Sequence, residues 1–292
     1  MAFFHQTNDY LALPHAPEAW IVQDLLPISG SMNVYGKPKV GKSFLCLQLA
    51  EAIADPAIPD FLGYPILTHG PVVYLQADTP RGLWRLRIIQ FFTSAGRPLR
   101  NVFLTDKEII PYPFDIADKA GANRKWLKDA LAEVNPIAVF IDTLREVHLG
   151  DENDSGHMQN VVNSLAEACR PAAIVLISHS RKTTPDGAHD LMNEGRGSSY
   201  TSGRMDCIMK VAPQKIYFQG RSIPETNLAV EAKPLFSIAD TITPKLVEIM
   251  KANPHLGMSG LVPIVLKELP SLSPEAARSR LRRLVSRNDD TK

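Results

Sequence analysis

The chain alternates short, nearly continuous apolar runs with segments of helical period. The runs are Ser31-Met32-Asn33-Val34-Tyr35, Val72-Val73-Tyr74-Leu75, Val102-Phe103-Leu104, Ile137-Ala138-Val139-Phe140-Ile141 and Ala173-Ile174-Val175-Leu176-Ile177. Runs this short, and apolar at nearly every position, are strands covered on both faces. Helical patterns lie between them, at 43–54, 81–95, 121–134 and 157–170. Alternation of this kind predicts an α/β fold: a mostly parallel central sheet flanked by helices.

The flanking segments have other textures. Pro14, Pro17 and Pro27 make residues 1–30 an irregular lead-in. Residues 181–203 are rich in Gly, Ser, Thr, Asp and Arg with almost no apolar period, which reads as a long polar loop or lid. The runs at 206–211, 215–218 and 227–230 that follow read as antiparallel edge strands. A separate module is expected over 243–292, where helical segments at 244–252 and 259–268 precede the helix start Ser273-Pro274-Glu275. That last helix carries Arg278, Arg280, Arg282, Arg283 and Arg287 against Glu275, so five positive charges and one negative give it +4.

Composition adds mainly exclusions. With 32 basic and 31 acidic residues the whole molecule has no field that would mark nucleic acid or a membrane as its partner. Cys46, Cys169 and Cys207 are few, odd in number and each set in an apolar run, which predicts buried free thiols and a reducing cytoplasm. No basic start with a long apolar stretch opens the chain, and no run nears the roughly 20 apolar residues of a membrane span. A soluble, cytoplasmic protein is the expectation.

The chemistry sits in the loop between the first run and the first helix. Gly36-Lys37-Pro38-Lys39-Val40-Gly41-Lys42-Ser43 meets every fixed position of the phosphate-binding pattern G-x4-G-K-[S/T], with Phe44 next inside the helix. Glycine lets the backbone curl until its N–H groups converge on a phosphate, and the helix adds the positive end of its dipole. Lys42 is then expected to reach the β- and γ-phosphates of ATP, and the Ser43 hydroxyl to ligate Mg²⁺. The plain alternative is a Gly-rich turn that merely opens a helix.

Further candidates stand at strand ends. Asp142 follows five apolar residues, where a carboxylate can hold the magnesium beside the phosphate loop or simply cap the next turn. Asp78, in Tyr74-Leu75-Gln76-Ala77-Asp78, can act as general base toward the attacking water, or simply cap the helix after Pro80. His179 closes its strand, where it can sense the γ-phosphate or sit as an ordinary turn histidine. Arg196, Arg204 and Arg221 are candidates for the guanidinium that a neighbouring subunit supplies in this class of enzyme, with Arg196 and Arg221 preferred.

Together these residues resemble the RepA-type branch of the RecA/DnaB-like hexameric ATPases, which includes plasmid- and phage-encoded replicative helicases. The resemblance rests on the phosphate loop, on Tyr74 to Asp78, on Phe140-Ile141-Asp142-Thr143-Leu144, on Ser178-His179-Ser180-Arg181-Lys182 with Arg196-Gly197-Ser198-Ser199, and on Gly220-Arg221-Ser222-Ile223-Pro224-Glu225. It covers roughly residues 18–240. It implies a RecA-like core that assembles as a homo-oligomeric ring, with ATP between subunits and single-stranded DNA in the central channel. Lys42, Ser43, Asp142 and His179 match the family's phosphate, Mg²⁺ and sensor positions. Asp78 departs from the glutamate usual there, and one missing methylene bears on how well a water is aligned.

The last fifty residues resemble a small winged-helix module, which would put the arginines of the helix from Ser273 on duplex DNA phosphates; a solvated basic face or a docking helix is the alternative. Two functional readings follow. One is a DNA-dependent ATPase, a helicase or translocase of a mobile element, working through loops around 145–160 and 181–203. The other is an ATP-switched DNA-binding regulator with slow hydrolysis.

Overall fold

A computed structural model of the chain describes residues 6–8, 19–96, 99–180, 203–221, 223–232, 235–238 and 242–269, with Pro274, Ala277, Arg278 and Leu281 beyond them. The chain divides into two compact units, Met1–Ser237 and Ile238–Lys292.

The larger unit begins with a hairpin of β1 (Trp20–Val22) and β2 (Leu26–Pro27), followed by β3 (Ser31–Gly36) and helix α1 (Lys42–Ala54). A second hairpin, β4 (Asp60–Phe61) and β5 (Tyr64–Pro65), precedes β6 (Val72–Gln76), α2 (Arg81–Ala95) and β7 (Val102–Thr105). Next come α3 (Ala122–Val134), β8 (Ala138–Asp142), a 3₁₀ turn at Leu144–Val147, α4 (Ser155–Cys169) and β9 (Ala173–His179). Strands β10 (Cys207–Ala212), β11 (Lys215–Gly220), β12 (Thr226–Ala232) and β13 (Phe236–Ile238) complete the sheet.

Its nine strands run in the order β13-β12-β11-β10-β3-β9-β8-β6-β7. Every neighbouring pair from β10 to β7 is parallel, and β10/β11 and β11/β12 are antiparallel. The parallel, helix-covered sheet expected from the apolar runs is therefore present. Successive side chains of a strand point to opposite faces, and two cores result. Val72, Tyr74, Phe140, Val175 and Ile177 join α1 and Trp84, Ile88 and Phe91 of α2 on one face. Val73, Leu75, Val139, Ile141, Ile174 and Leu176 join Leu127 and Leu131 of α3 and Met158, Val161 and Leu165 of α4 on the other.

Four local expectations need correcting. Strand β10 is not an antiparallel edge: it pairs parallel to β3 in the sheet interior. Strand β7 is an edge rather than a covered strand, so Phe103 and Leu104 are 47% and 38% exposed. The end of the lead-in is ordered core, because Ile21, Val22, Leu25 and Leu26 of the first hairpin are fully buried. Pro27 ends β2 without keeping Leu26 out of the core. Finally, the end of the presumed loop at 145–160 is helical from Ser155, where α4 starts with Asp154 Oδ1 accepting from the backbone N–H of Gly156 and His157.

The smaller unit contains α5 (Ile242–Ala252) and α6 (Met258–Glu268). Leu246, Ile249, Leu261, Val262 and Val265 pack with Ala277 and Leu281 into its own core. Most of 273–287 lies outside the described residues, including Arg280, Arg282, Arg283 and Arg287. Among the described residues no helix is long and apolar enough to cross a membrane.

Candidate nucleotide site

Parallel strands place all their carboxyl ends on one edge of the sheet, and the connections there converge. Strand β3 ends in Gly36, and the loop from Lys37 to Gly41 delivers the chain into α1. Two loop residues take the left-handed region, Lys39 with φ 66° and Gly41 with φ 94°. Glycine is required at the second, because a Cβ on Gly41 would also lie 2.8 Å from Phe236 Cζ. Phe236 is itself held by a paired amide contact: Gln48 Nε2 donates to its carbonyl at 2.8 Å, and its N–H donates to Gln48 Oε1 at 2.9 Å. No side chain caps α1 and no acidic residue stands in its first turn, so its N-terminal N–H groups and dipole are directed at the loop.

Lys42 is 7% exposed, and its ammonium donates to the carbonyls of Gly36 at 2.9 Å and Lys37 at 3.1 Å. Burial pulls its pKa down, while the nearby Asp142, Cys46 and Asp78 oppose that shift. Such a desolvated ammonium, hydrogen-bonded to neutral carbonyls, gains strongly from an anion brought within reach. The side chain of Phe44 packs into the core instead, 6.5 Å from Phe91 between ring centres, so of the nominated loop residues its ring contributes packing.

Asp142 ends β8 at 2% exposure. Its carboxylate is hydrogen-bonded by the Ser43 side chain, and Oδ2 accepts from the Tyr74 hydroxyl at 2.9 Å and from Gln76 Nε2 at 3.0 Å. Burial nonetheless raises its pKa, against the Ser43 and Tyr74 hydrogen bonds that lower it; Asp78 adds to the rise and Arg87 opposes it. A hydroxyl and a carboxylate at one point are hard oxygen donors suited to Mg²⁺, an ion that needs few protein ligands when phosphates and waters supply the rest. Among the described residues there is no cluster of three or more His, Cys, Asp or Glu that would cage a metal alone.

Asp78 lies two residues past β6 and is exposed, near enough to Lys42 and Asp142 to affect both. It does not cap α2, whose N-cap is Pro80. Gln76 Oε1 holds the turn instead, accepting from the N–H of Asp78 at 2.7 Å and of Thr79 at 3.0 Å. His179, last in β9, is the register partner of Gly36, and the next N–H, of Ser180, donates to the Gly36 carbonyl at 3.3 Å. Lys42, Ser43, Asp78, Asp142 and His179 thus share one end of the sheet.

Arg221 does not join them. It follows β11 and sits beside Asp206, which is bonded to Ser31 at the start of β3, the other end of the strand that feeds the phosphate loop. Arg204 is near it and donates to Asn163 Oδ1 at 3.0 Å. Arg196, with Arg181 and Lys182, lies outside the described residues.

Four side chains that the sequence reading gave no role stand around these residues: Tyr74, Gln76, Thr79 and Arg87. Tyr74 stacks between Trp84 and Phe140, with ring centres at 5.4 and 5.6 Å, and this fixes the hydroxyl that meets Asp142. Arg87 Nη1 donates to Thr79 Oγ1 at 2.9 Å, which brings its charge toward the site from α2. Gln76 was detectable, as an amide inside an apolar strand, because a polar group buried to 1% exposure must have partners. Arg87 was not, since nothing local separates it from Arg85.

The chain is similar in part to known proteins. Among solved structures, a KaiC-like protein from the hyperthermophilic archaeon Pyrococcus horikoshii shares 10% identity over 75% of this chain and 93% of its own, with a TM-score of 0.49. An ATPase domain shares 14% identity over 73% of this chain and 85% of its own, with a TM-score of 0.52. At such identity the second likeness speaks to the fold alone, a RecA-like P-loop core. A family profile described as an AAA domain matches residues 2–185, a span that takes in the phosphate loop, Asp78, Asp142 and His179. That match covers well over half of the sequence, and the chain belongs to the AAA domain family.

Proposed function

We propose that the chain is a DNA-dependent ATPase that forms a homo-oligomeric ring and moves on single-stranded DNA, as a helicase or translocase serving replication or recombination of a plasmid, phage or other mobile element. It works in a reducing cytoplasm, where Cys46, Cys169 and Cys207 remain the buried thiols they are here. The observation that carries the reading is the meeting of the Ser43 hydroxyl with the Asp142 carboxylate beside the buried Lys42 ammonium. A bare helix-opening turn has no use for that convergence.

In this reading the backbone N–H groups from Lys39 to Ser43 embrace the phosphates of ATP, and Lys42 exchanges its loop carbonyls for β- and γ-phosphate oxygens. Ser43 and Asp142 hold Mg²⁺, which neutralises phosphate charge. Asp78 orients a water whose oxygen bonds to the γ-phosphorus as the bond to the β,γ-bridging oxygen breaks. ADP keeps the electron pair, and the water's proton passes to Asp78 and then to solvent. His179 registers loss of the γ-phosphate at the start of the 181–203 segment, and Arg196 or Arg221 of a neighbouring copy completes the site. The arginine-rich stretch that follows Ser273 adds contact with duplex DNA.

A second reading rests on the exposed, short-armed Asp78: an ATP-switched DNA-binding regulator whose slow hydrolysis merely resets assembly. The two separate on ATPase rate with and without single-stranded DNA, in the parent and in Lys42→Ala, with mass measured in a non-hydrolysable ATP analogue. DNA stimulation that the substitution abolishes, together with a nucleotide-dependent ring, is expected. Slow turnover indifferent to single strands, with tight duplex binding, would establish the switch instead.

A further inference from the structure

Arg221 is tied to the phosphate-loop strand through one carboxylate. Asp206 Oδ2 accepts from the Ser31 N–H at 2.8 Å and from Ser31 Oγ at 2.9 Å. The same hydroxyl accepts from the Asp206 N–H at 3.3 Å, and that N–H also donates to the Ser31 carbonyl at 3.0 Å. Four bonds thus fix Asp206 to the first residue of β3. Its other oxygen, Oδ1, stands 3.6 Å from Arg221 Nε, and its carbonyl accepts from the Arg221 N–H at 3.0 Å. Arg221 Nη2 makes one further contact, 3.4 Å to the Arg204 carbonyl, and the side chain stays 65% exposed.

The residue before the arginine makes this approach feasible. A Cβ on Gly220 would lie 2.9 Å from the Asp206 carbonyl oxygen and 3.6 Å from Cys207 Cα, so any side chain there would push the end of β11 off Asp206. Gly220 opposes Cys207 in the β10/β11 register, which places the arginine at the hairpin's end against that carboxylate.

We infer that Asp206 is the positioning residue for Arg221: anchored on Ser31, it sets where the guanidinium stands relative to β3. This rests on the reading of Arg221 as the group that completes a neighbouring copy's ATP site. Strand β3 spans Ser31–Gly36, roughly 17 Å at about 3.3 Å per residue. One end delivers the phosphate loop to the chain's own nucleotide, and the other holds the arginine offered to the next. A buried parallel strand is a stiff spacer, so the distance between the two half-sites of one subunit is set by Asp206 and Ser31 rather than by the flexible arginine alone. Nothing in the bond-making changes: water adds to the γ-phosphorus and ADP leaves, and the guanidinium only neutralises charge developing on the transferred phosphoryl oxygens.

The test is a double-mutant cycle on the full chain under DNA-stimulated conditions, with Arg221→Ala, Asp206→Asn and the pair. Readouts are kcat, KM for ATP, affinity for a fluorescent ATP analogue, thermal midpoint and oligomer mass. Arg221→Ala should lower kcat by at least about 10³-fold. Asp206→Asn should lower it roughly ten- to a hundredfold, the cost of a misplaced group, with KM, analogue affinity and oligomer mass unchanged. The pair should be no slower than Arg221→Ala alone, because Asp206 acts only through the arginine. Gly220→Ala should imitate Asp206→Asn in kcat. Parent-like turnover of Asp206→Asn, or a further slowing of Arg221→Ala by the same factor, would overturn the inference while leaving Arg221 its role. Parent-like turnover of Arg221→Ala would remove the reading beneath it.

Discussion

Gln76 Nε2 donates a 3.0 Å hydrogen bond to Asp142 Oδ2, and the same side chain's Oε1 accepts from the N–H groups of Asp78 and Thr79. One amide therefore joins the carboxylate that ends β8 to the turn that carries the proposed base. The two residues are also register partners across β6 and β8, so the bond follows from strand pairing.

Replacing Gln76 with Leu removes three hydrogen bonds from a buried position and leaves Asp142 and two N–H groups short of partners. The expected cost is about 1–3 kcal/mol, since unsatisfied buried groups lose their desolvation energy in full. Because the turn after β6 loosens, kcat should fall while affinity for nucleotide, set by the phosphate loop, stays near the parent. Urea denaturation with steady-state kinetics checks both, and equal losses in kcat and affinity would contradict this division.

Asp142→Asn should separate stability from turnover. The folded state holds the carboxyl at a raised pKa, chiefly through burial. A carboxyl with a raised folded pKa stabilises the fold below its unfolded value and loses that contribution as pH rises, so at neutral pH the ionised form is a net cost. The amide can still accept from Tyr74 and Gln76. A thermal midpoint equal to or above the parent's, with hydrolysis abolished, is the expected result; a large drop in midpoint would show the charge to be structural.

Gly41→Ala forces a side chain into left-handed backbone and toward Phe236. About 1–2 kcal/mol of backbone strain is expected, together with weakened binding of a fluorescent ATP analogue as the loop shifts. Retention of parent affinity at reduced stability would separate the glycine's structural role from phosphate binding.

His148 gives a pH signature outside the nucleotide site. It is 1% exposed, with Nδ1 3.1 Å from His157 Nε2. Burial, with the charges of His157 and Arg145, lowers its pKa to about 4. The unfolded chain takes up this proton near 6.5, so the stabilisation is complete above that pH and is lost progressively as pH falls toward about 4. Denaturant midpoints from pH 7 to 4.5 should fall more steeply for the parent than for His148→Leu, and parallel curves would refute the assignment.

Asp78→Glu tests the departure from the resembling family. With the backbone N–H at 78 already held by Gln76, the added methylene moves only the carboxylate. A severalfold or larger rise in kcat with unchanged KM is expected, since alignment of a water is sensitive to shifts of about 1 Å. A fall in kcat would mean the site is built around the shorter arm.

The pattern of the chain by itself determined the parallel sheet, the order of its helices and the phosphate loop, and for a common reason. Each of these is local: an apolar run long enough to be covered on both faces, a helical period, a glycine spacing that only a tight anion-binding turn needs. It also drew notice to the carboxylates at 78 and 142, because each follows a run of apolar strand residues. Tertiary structure alone decided which side chains meet. Pairing β6 against β8 brings Gln76 and Tyr74 to Asp142, and α2 adds Arg87 from a face that no periodicity singled out. Inserting β10 parallel to β3 carries Asp206 to Ser31 and Arg221 to the far end of the phosphate-loop strand, a contact across 175 residues of sequence between Ser31 and Asp206. Strand order is set by burial summed over the whole sheet, so no local window could have contained it.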